Sequence, residues 1–386
     1  MGFKKLRADQ LFDGHKMWDD QHVLIMTEEG IVEGIVPLDE AGDDIYFYNG
    51  IISPGFVNCH CHLELSHMRG LIPEKTGLVD FVLQVVKDRH FSEEIILEAI
   101  AKAEEEMLAN GIVAVGDICN NTLTIPQKTK GRIWYHNFIE ASGFIPSMAE
   151  IRFQQAVTIF KEYAKQYSIP VEANSIVPHA PYSVSDELWQ KIIHFPGNHL
   201  MTIHNQESVS ENEWFMDKKG KFMDLYKAMN MDASFFQSSS KSSLQTYLPK
   251  FLPNQPVILV HNVHTSEEDV LFAKNNGGEF YWCLCPNANL YIDGQLPDVK
   301  TFIDNKCNIV LGTDSLASNH QLSILSEMKT IQERYPFIAT EQLLNWATFQ
   351  GAKALQMDNI VGSLKKAESP GIILISKNLS SLERLM

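Results

Sequence analysis

The feature that most constrains the fold is an alternation of short apolar runs with longer segments of helical periodicity, which begins near Ile51. The short runs are typical of buried strands, and the segments between them carry apolar residues three and four positions apart, as amphipathic helices do. Eight such strands with intervening helices predict an α/β fold, a (β/α)8 TIM-like barrel of parallel strands with the helices outside. The candidate strands are IISPGFVN, IVAVGD, RIWYHNFIE, VEANSIV, HLMTIH, PVILVHN, GEFYWCL and NIVLGTD.

Both ends of the chain depart from this alternation. Residues 22–38, HVLIMTEEGIVEGIVPL, combine β-branched residues with glycine turn signals, as hairpins do. The chain closes with a strand-like IILIS, and a lone strand needs another strand to pair with. We therefore predict a small composite β-sandwich domain from both termini, residues 1–53 plus 360–386, beside a barrel at residues 54–359.

Charge, cysteine content and hydropathy indicate which partners and which cellular compartment to expect. A formal net charge of −16 disfavours binding to nucleic acid or to anionic membranes, which leaves a small molecule as the expected partner. Six cysteines without a CxxC pair do not form a disulfide framework. We see neither a signal-peptide core nor a long apolar run, so we expect a cytoplasmic protein. A homodimer is compatible with the sequence but is not fixed by it.

Residues able to bind metal or to move protons follow five of the predicted strands. Because the active sites of such barrels lie at the carboxyl ends of the strands, we expect these side chains to meet there. No single one of these residues is specific, but five such positions in one chain indicate a catalytic site. They are His60 with His62, then His179, then His204 with Glu207, then His261, and last Asp314.

The HxH pair indicates a metal site. His60 and His62 are two positions apart on an extended segment, so their side chains lie on the same side. Two neutral imidazoles suit zinc or iron(II). Adding His204 and Asp314 gives three histidines and one carboxylate, with a position left for water. We predict one divalent metal ion at these four residues, with zinc favoured over iron.

Several motifs together resemble the amidohydrolase superfamily, and most closely its cytosine/guanine deaminase and chlorohydrolase branch. The resemblance spans residues from about 50 to 375. The motif HCHLELS is also similar to that of aminofutalosine deaminases. The motifs are PGFVNCHCHLELS at 54–66, VPHAPYS at 177–183, HNQES at 204–208, VHNVH at 260–264, CPNANL at 285–290 and LGTDSLASN at 311–319.

The resemblance implies a role for each site residue. It implies a single metal, because binuclear members carry a carboxylated lysine at the end of strand four and residues 171–182 contain no lysine. It implies Glu207 as the proton shuttle and His261 as the group that polarises the attacked centre. Asp314 would be both ligand and base, and His179 and Ser318 would contact the substrate.

The function that we predict is hydrolytic deamination of a small aminated heterocycle, purine-like or aminofutalosine-like. A metal hydroxide would attack the amine-bearing carbon, and ammonia would leave. Two alternatives stay open. The chain could be a chlorohydrolase or cyclic amide hydrolase of the same superfamily, or a metal-binding homologue without catalysis.

Some features have no assigned role at this point. Glu64 could orient a metal-binding histidine or cap a loop. Segment 208–250 is long and polar enough to form a mobile lid. None of the candidate arginines falls in a motif, which argues against a substrate with a charged tail. They are Arg69, Arg89, Arg132 and Arg152.

Overall fold

The structure is a computed structural model and describes residues 2–166 and 173–386. The first strands lie in the N-terminal region, where the hairpin was predicted at residues 22–38. In the structure the third and fourth strands pair there in antiparallel fashion, with His22 opposite Pro37. The strands are β1 (Phe3–Phe12), β2 (Met17–Trp18), β3 (His22–Thr27), β4 (Val32–Pro37) and β5 (Ile45–Pro54).

Eight parallel strands follow, one for each apolar run identified in the sequence. Nearly every residue in them is buried, because helices cover one face and the other faces the interior. The predicted fourth strand, 171–177, starts at Asn174, and its positions 171 and 172 lie outside the described residues. The strands are β6 (Phe56–Cys61), β7 (Ile112–Cys119), β8 (Trp134–Ala141), β9 (Asn174–Pro178), β10 (Met201–Asn205), β11 (Val257–His261), β12 (Phe280–Leu284) and β13 (Asn308–Leu311).

These eight strands form two parallel sheets of four, β6–β9 and β10–β13, each in sequence order. Contacts also join the sheets at both of their ends. The amide of His204 on β10 donates to the carbonyl of His179 after β9 at 3.1 Å. At the other end, Cys61 on β6 forms a parallel bridge with Asp314 after β13. The predicted parallel α/β class is thus confirmed.

Two of the helical segments predicted from the sequence are interrupted in the structure. The helical pattern at 81–111 is interrupted at Ser92, whose extended backbone (φ −64°, ψ 146°) starts a second helix. The pattern at 340–357 is interrupted at Thr348 (φ −128°, ψ −91°). The predicted helix 148–168 is described up to Gln166, and its last two positions lie outside the described residues.

The helices are α1 (Leu78–Asp88), α2 (Glu93–Ala109), α3 (Ile125–Lys128), α4 (Ala149–Gln166), α5 (Asp186–Ile193), α6 (Val209–Asp217), α7 (Phe222–Ala228), α8 (Ser243–Tyr247), α9 (Glu267–Asn275), α10 (Pro286–Ile292), α11 (Val299–Asp304), α12 (Ile324–Arg334), α13 (Thr340–Ala347) and α14 (Phe349–Ala354). Short 3-10 helices lie at Leu63–Met68, Pro146–Met148, Pro181–Ser183 and Leu248–Lys250. Among the described residues, no helix is long and apolar enough to cross a membrane.

The C-terminal strands β14 (Ile372–Ile375) and β15 (Leu382–Arg384) join the N-terminal ones. β14 pairs with β5 in antiparallel fashion, with Ile375 opposite Ile51. The sheet has seven strands in the order β15-β14-β5-β1-β3-β4, with β2 beside β1. Strands from both chain ends thus share one sheet, and the second layer of a sandwich stays a prediction.

A separate apolar cluster lies over the carboxyl ends of the parallel strands. It joins α1 to the segment 209–236, which falls within the predicted lid. Trp214 and Phe222 of this segment are fully buried, so these side chains anchor it to the molecule. The cluster forms the apolar roof of the cavity described next.

Candidate active site

The two histidines of the HxH pair lie side by side. His60 is the second-last residue of β6 and His62 directly follows the strand, and their Nε2 atoms are 3.2 Å apart. Both side chains are buried. Burial lowers the pKa of His62 to about 3, so this imidazole is neutral and its ring can act as a metal ligand.

His204 brings a third imidazole to the same point from β10. Its Nε2 atom lies 3.4 Å from the Nε2 of His62. Its Nδ1 atom lies 2.7 Å from the backbone carbonyl of His179, which can only accept a hydrogen bond. The proton of neutral His204 must therefore be on Nδ1, and the lone pair of Nε2 faces the other two histidines.

Asp314 supplies the carboxylate. It follows β13 in the left-handed region (φ 57°), and its amide donates to the carbonyl of His60 at 3.0 Å. Its Oδ1 atom is 3.5 Å from Nε2 of His60 and 3.4 Å from Nε2 of His62. Although burial raises it, the contacts with His60, His62 and His261 hold the pKa of Asp314 well below its usual range.

These four side chains fit a divalent metal ion. Four distances between their donor atoms, from 3.2 to 3.5 Å, match the edge of a tetrahedron whose bonds are about 2.0–2.2 Å long, as for zinc with nitrogen and oxygen ligands. Lone pairs that face one another at such distances repel unless they share a cation. A second group, Glu140, His179 and His204, also has clustered donor atoms. The His204 atom that faces Glu140, at 3.7 Å, is Nδ1, and this nitrogen is already bonded to the carbonyl of His179, so we assign no metal there.

Glu207 and His261 face each other beside these residues. His261 Nε2 is 3.6 Å from Glu207 Oε1, and both side chains are buried. Asn289 donates from Nδ2 to His261 Nδ1 at 3.0 Å, which places the proton of a neutral His261 on the nitrogen that faces Glu207. Burial, and next the charge of Asp314, raise the pKa of Glu207 well above its usual range. Burial lowers the pKa of His261 well below its usual range. A carboxyl group able to hold a proton and a neutral imidazole are thus adjacent.

The two residues expected to contact substrate lie in different places. His179 lines the cavity, and its Nδ1 is 2.6 Å from the hydroxyl of Ser183. Ser318 is fully buried and donates to Oδ2 of Asp314 at 2.6 Å. It is absent from the described residues that line the cavity, so this contact favours support of Asp314 over substrate contact.

We expect Ser318→Ala to weaken metal binding by about 10- to 100-fold, because residues that hold a ligand in place have effects of this size. Competition with a chelating dye measures the metal affinity directly. Ser315→Ala is the matched control, since its hydroxyl lies 3.0 Å from that of Ser318 but has no hydrogen bond to the Asp314 side chain. Equal affinities for the Ser318 variant and the parent would contradict this role.

The site opens into a cavity of about 250 Å³. Glu64, Asn120 and Glu140 form a polar part of its wall. Asn120 follows β7 and Glu140 is near the end of β8, so both lie at strand ends, as the metal ligands do. That position was the signal in the sequence, but neither residue belongs to a motif. The apolar wall consists of Leu65, Leu78, Phe81, Val82, Val85, Val86, Phe144, Leu225, Met229 and Met231.

The arginines divide into two groups. Arg89 and Arg152 line the cavity, although neither falls in a motif. Arg69 instead pairs with Glu106, and Arg132 pairs with Glu104. The sequence argument against a charged substrate tail therefore loses its basis, since two arginines line the cavity although neither belongs to a motif.

A cluster of three imidazoles and a carboxylate, buried at the carboxyl ends of parallel strands beside a cavity, defines the class of metal-dependent hydrolases. The family model described as "Amidohydrolase family" matches residues 51–384. The chain belongs to this family, which confirms the resemblance found in the sequence.

Two proteins of similar sequence and one of similar structure indicate which kind of hydrolase the chain resembles. Adenosine deaminase of Helicobacter pylori is 26% identical, over 81% of this chain and 76% of its own. The 5-methylthioadenosine/S-adenosylhomocysteine deaminase of Pyrococcus abyssi is 24% identical, over 92% and 77%. The crystal structure of Helicobacter pylori aminofutalosine deaminase has a TM-score of 0.81 at 20% identity, and covers 98% of this chain and 92% of that one. The predicted class of hydrolase, acting on carbon–nitrogen bonds, agrees with these relatives.

Proposed function

We propose that the protein is a metal-dependent aminohydrolase that deaminates a purine-like heterocycle. The observation that carries this proposal is the pairing of Glu207 with His261 beside the four converging donors; both of these residues line one cavity together with His62, His204 and Asp314. A proton donor and a polarising imidazole next to a metal site are what hydrolysis of an aminated ring requires. The relatives named above act on adenine-containing compounds, which supports the purine-like substrate.

The proposal includes one ion per chain, with zinc favoured over iron, held by His60, His62, His204 and Asp314. When bound, such an ion lowers the pKa of water from ~16 toward ~7. Asp314 is placed to accept a proton from that water. Glu207 would deliver a proton to the ring nitrogen next to the attacked carbon, while His261 would donate a hydrogen bond from Nε2 to the developing charge. The proton on Asp314 would then pass to the amine, which would leave as ammonia, and Glu207 would regain a proton from the new hydroxyl group as the oxo product forms.

The architecture that we propose is one closed (β/α)8 barrel at residues 54–359. It is supported by the contacts at both junctions of the two parallel sheets, from His204 to His179 and from Cys61 to Asp314. The composite β-sandwich domain would comprise residues 1–53 plus 360–386. Its boundary at residue 53 falls near the end of β5, and β14 returns to pair with that strand.

A substrate panel tests the proposed reaction. We expect the zinc-loaded protein to release ammonia from at least one of adenosine, 5′-methylthioadenosine, aminofutalosine and guanine, as measured by a coupled ammonia assay. Release of chloride from a chlorotriazine or opening of a cyclic amide, without ammonia from any purine, would replace the proposal with the alternative hydrolases. A protein that binds zinc but turns over none of these compounds would contradict catalysis.

A further inference from the structure

Gln206, the residue immediately before Glu207, has an unusual backbone conformation. Its φ is 44°, in the left-handed region that residues with a side chain seldom adopt. Two residues of the candidate site share this feature, His261 with φ 74° and Asp314 with φ 57°. Strained backbone of this kind persists only where surrounding contacts hold it, and it is concentrated at active sites. The contacts of Gln206 therefore show what holds the backbone just before Glu207.

The backbone of Gln206 is bonded on both sides. Its amide donates to Oε1 of Glu211 at 3.0 Å, and its carbonyl accepts from the amide of His264 at 2.9 Å. Glu211 is fully buried on α6, whereas His264 lies in the loop after β11. Two separate parts of the chain thus hold this one residue, and a rotation about its φ would move the amide or the carbonyl away from its partner.

The side chain of Gln206 is also fully buried and fully bonded. Its Oε1 accepts from the hydroxyl of Thr265 at 2.7 Å. Its Nε2 donates to Oδ1 of Asn212 and to Oδ2 of Asp269, both at 3.0 Å. These contacts use the carbonyl oxygen and both amide hydrogens of the side chain. A buried network in which every polar group is bonded is rigid, so it can hold a strained backbone in place.

The carboxyl group of Glu207 has no such support. Its Oε1 lies 3.6 Å from Nε2 of His261, and among the described residues no side chain hydrogen-bonds to it. The direction of the Glu207 side chain therefore depends on its backbone, and the backbone conformation is fixed one residue earlier, at Gln206.

We infer that Gln206 is a positioning residue for Glu207. The left-handed backbone at Gln206 directs the Glu207 side chain into the cavity, and the buried network keeps that backbone in place. Gln206 is not among the described residues that line the cavity, so it acts through Glu207 and does not touch the substrate. This inference rests on the proposed function, in which Glu207 delivers the proton.

The network around Gln206 also reaches the roof of the cavity. Asn212 lies near the start of the roof segment 209–236, and Ser243 comes after its end. Oδ1 of Asn212 accepts from the amide of Ser243 at 3.0 Å as well as from Gln206. One side chain thus ties both ends of the roof segment to the residue before Glu207. A replacement of Asn212 would disturb the roof as well, so the test changes Gln206 itself.

A double-mutant cycle in the zinc-loaded protein tests this role, with the panel compound that the parent turns over fastest. Gln206→Met keeps the length of the side chain but removes its hydrogen bonds. We expect it to lower kcat by about 10- to 100-fold, because small misplacements of a catalytic group have effects of this size. KM and zinc content should stay near those of the parent. In Glu207→Gln the same change should lower kcat by no more than about a further twofold, since effects that pass through one residue are not additive.

Gln127→Met is the matched control for the loss of a buried glutamine. Nε2 of Gln127 donates to buried Glu104, and neither residue is among the described ones that line the cavity. We expect this variant to be less stable, with kcat within about twofold of the parent.

Variants of Glu211 test the contact with the Gln206 backbone separately. Glu211→Gln keeps an oxygen that can accept from the amide of Gln206, so it should retain most of the parent kcat. Glu211→Met removes this acceptor and should lower kcat by about 10- to 100-fold. Equal losses in the two variants would show that the charge of Glu211 matters and not its hydrogen bond, and would contradict the proposed arrangement.

The outcomes separate this inference from the proposed function. Unchanged kcat in Gln206→Met, or an equal loss in the parent and in Glu207→Gln, overturns the positioning role and leaves the deaminase function intact. If Gln206→Met does not fold, Thr265→Val removes the donor to Oε1 of Gln206 and takes its place in the cycle, with the same criteria. A parent protein that releases ammonia from none of the compounds contradicts the function, and the positioning role with it.

Discussion

Replacing Glu207 by glutamine is expected to lower kcat by about 10²- to 10⁴-fold while the metal stays bound. The amide keeps the size of the side chain but cannot release a proton to the ring nitrogen. The structure places this carboxyl group beside His261, outside the set of converging metal donors. Steady-state ammonia release together with metal analysis of the same sample measures both quantities.

The matched control for this prediction is Glu213→Gln. Glu213 lies on α6 as an exposed residue, so its neutralisation changes the net charge equally without touching the cavity. We expect its kcat to stay within about twofold of the parent, as is usual for surface changes. Full activity in Glu207→Gln would contradict the proton-shuttle role, and loss of the metal in that variant would assign Glu207 to the ligand set.

Replacing His62 by alanine is expected to remove the metal and to reduce turnover by about a thousandfold or more, because unbound water keeps a pKa near ~16. His62 is the residue whose Nε2 lies within 3.4 Å of donors from His60, His204 and Asp314. Replacing His62 therefore removes the donor that lies close to all three of the others. Metal content by mass spectrometry, before and after dialysis against zinc, gives the direct readout.

His136→Ala serves as the control for the loss of a buried imidazole. His136 is 1% exposed on β8 and bonds to Ser175, outside the candidate metal cluster. We expect this variant to be less stable but to keep its metal. If His62→Ala retained a full equivalent of metal, His62 would not be a ligand.

The strands and the metal donors could be predicted because both follow from local patterns. A buried strand is a continuous apolar run, and each donor lies at or just after the carboxyl end of such a run, so parallel strands bring His60, His204 and Asp314 to one end of the sheets. The family resemblance rested on the same short segments. The structure and the match to residues 51–384 confirm the parallel α/β class and the family.

The other features of the site could not be predicted, because they depend on contacts between segments that are distant in the chain. Glu64 and Glu140 become a pair only because Asn120, at the end of a third segment, bonds to both. Ser318 was predicted to contact substrate, and in the structure its hydroxyl donates to the carboxylate of Asp314. Arg89 and Arg152 reach the cavity from helical regions whose pattern says nothing about the direction of a long side chain. Such placements follow from tertiary packing and not from local sequence.

The most direct test of the account is a crystal structure of the zinc-loaded protein, with anomalous diffraction recorded at the zinc edge. We predict one strong peak per chain, about 2.0–2.2 Å from the Nε2 atoms of His60, His62 and His204 and from a carboxylate oxygen of Asp314. A peak elsewhere, or a second strong peak at Glu140 and His179, would contradict the single metal site on which the proposed function depends.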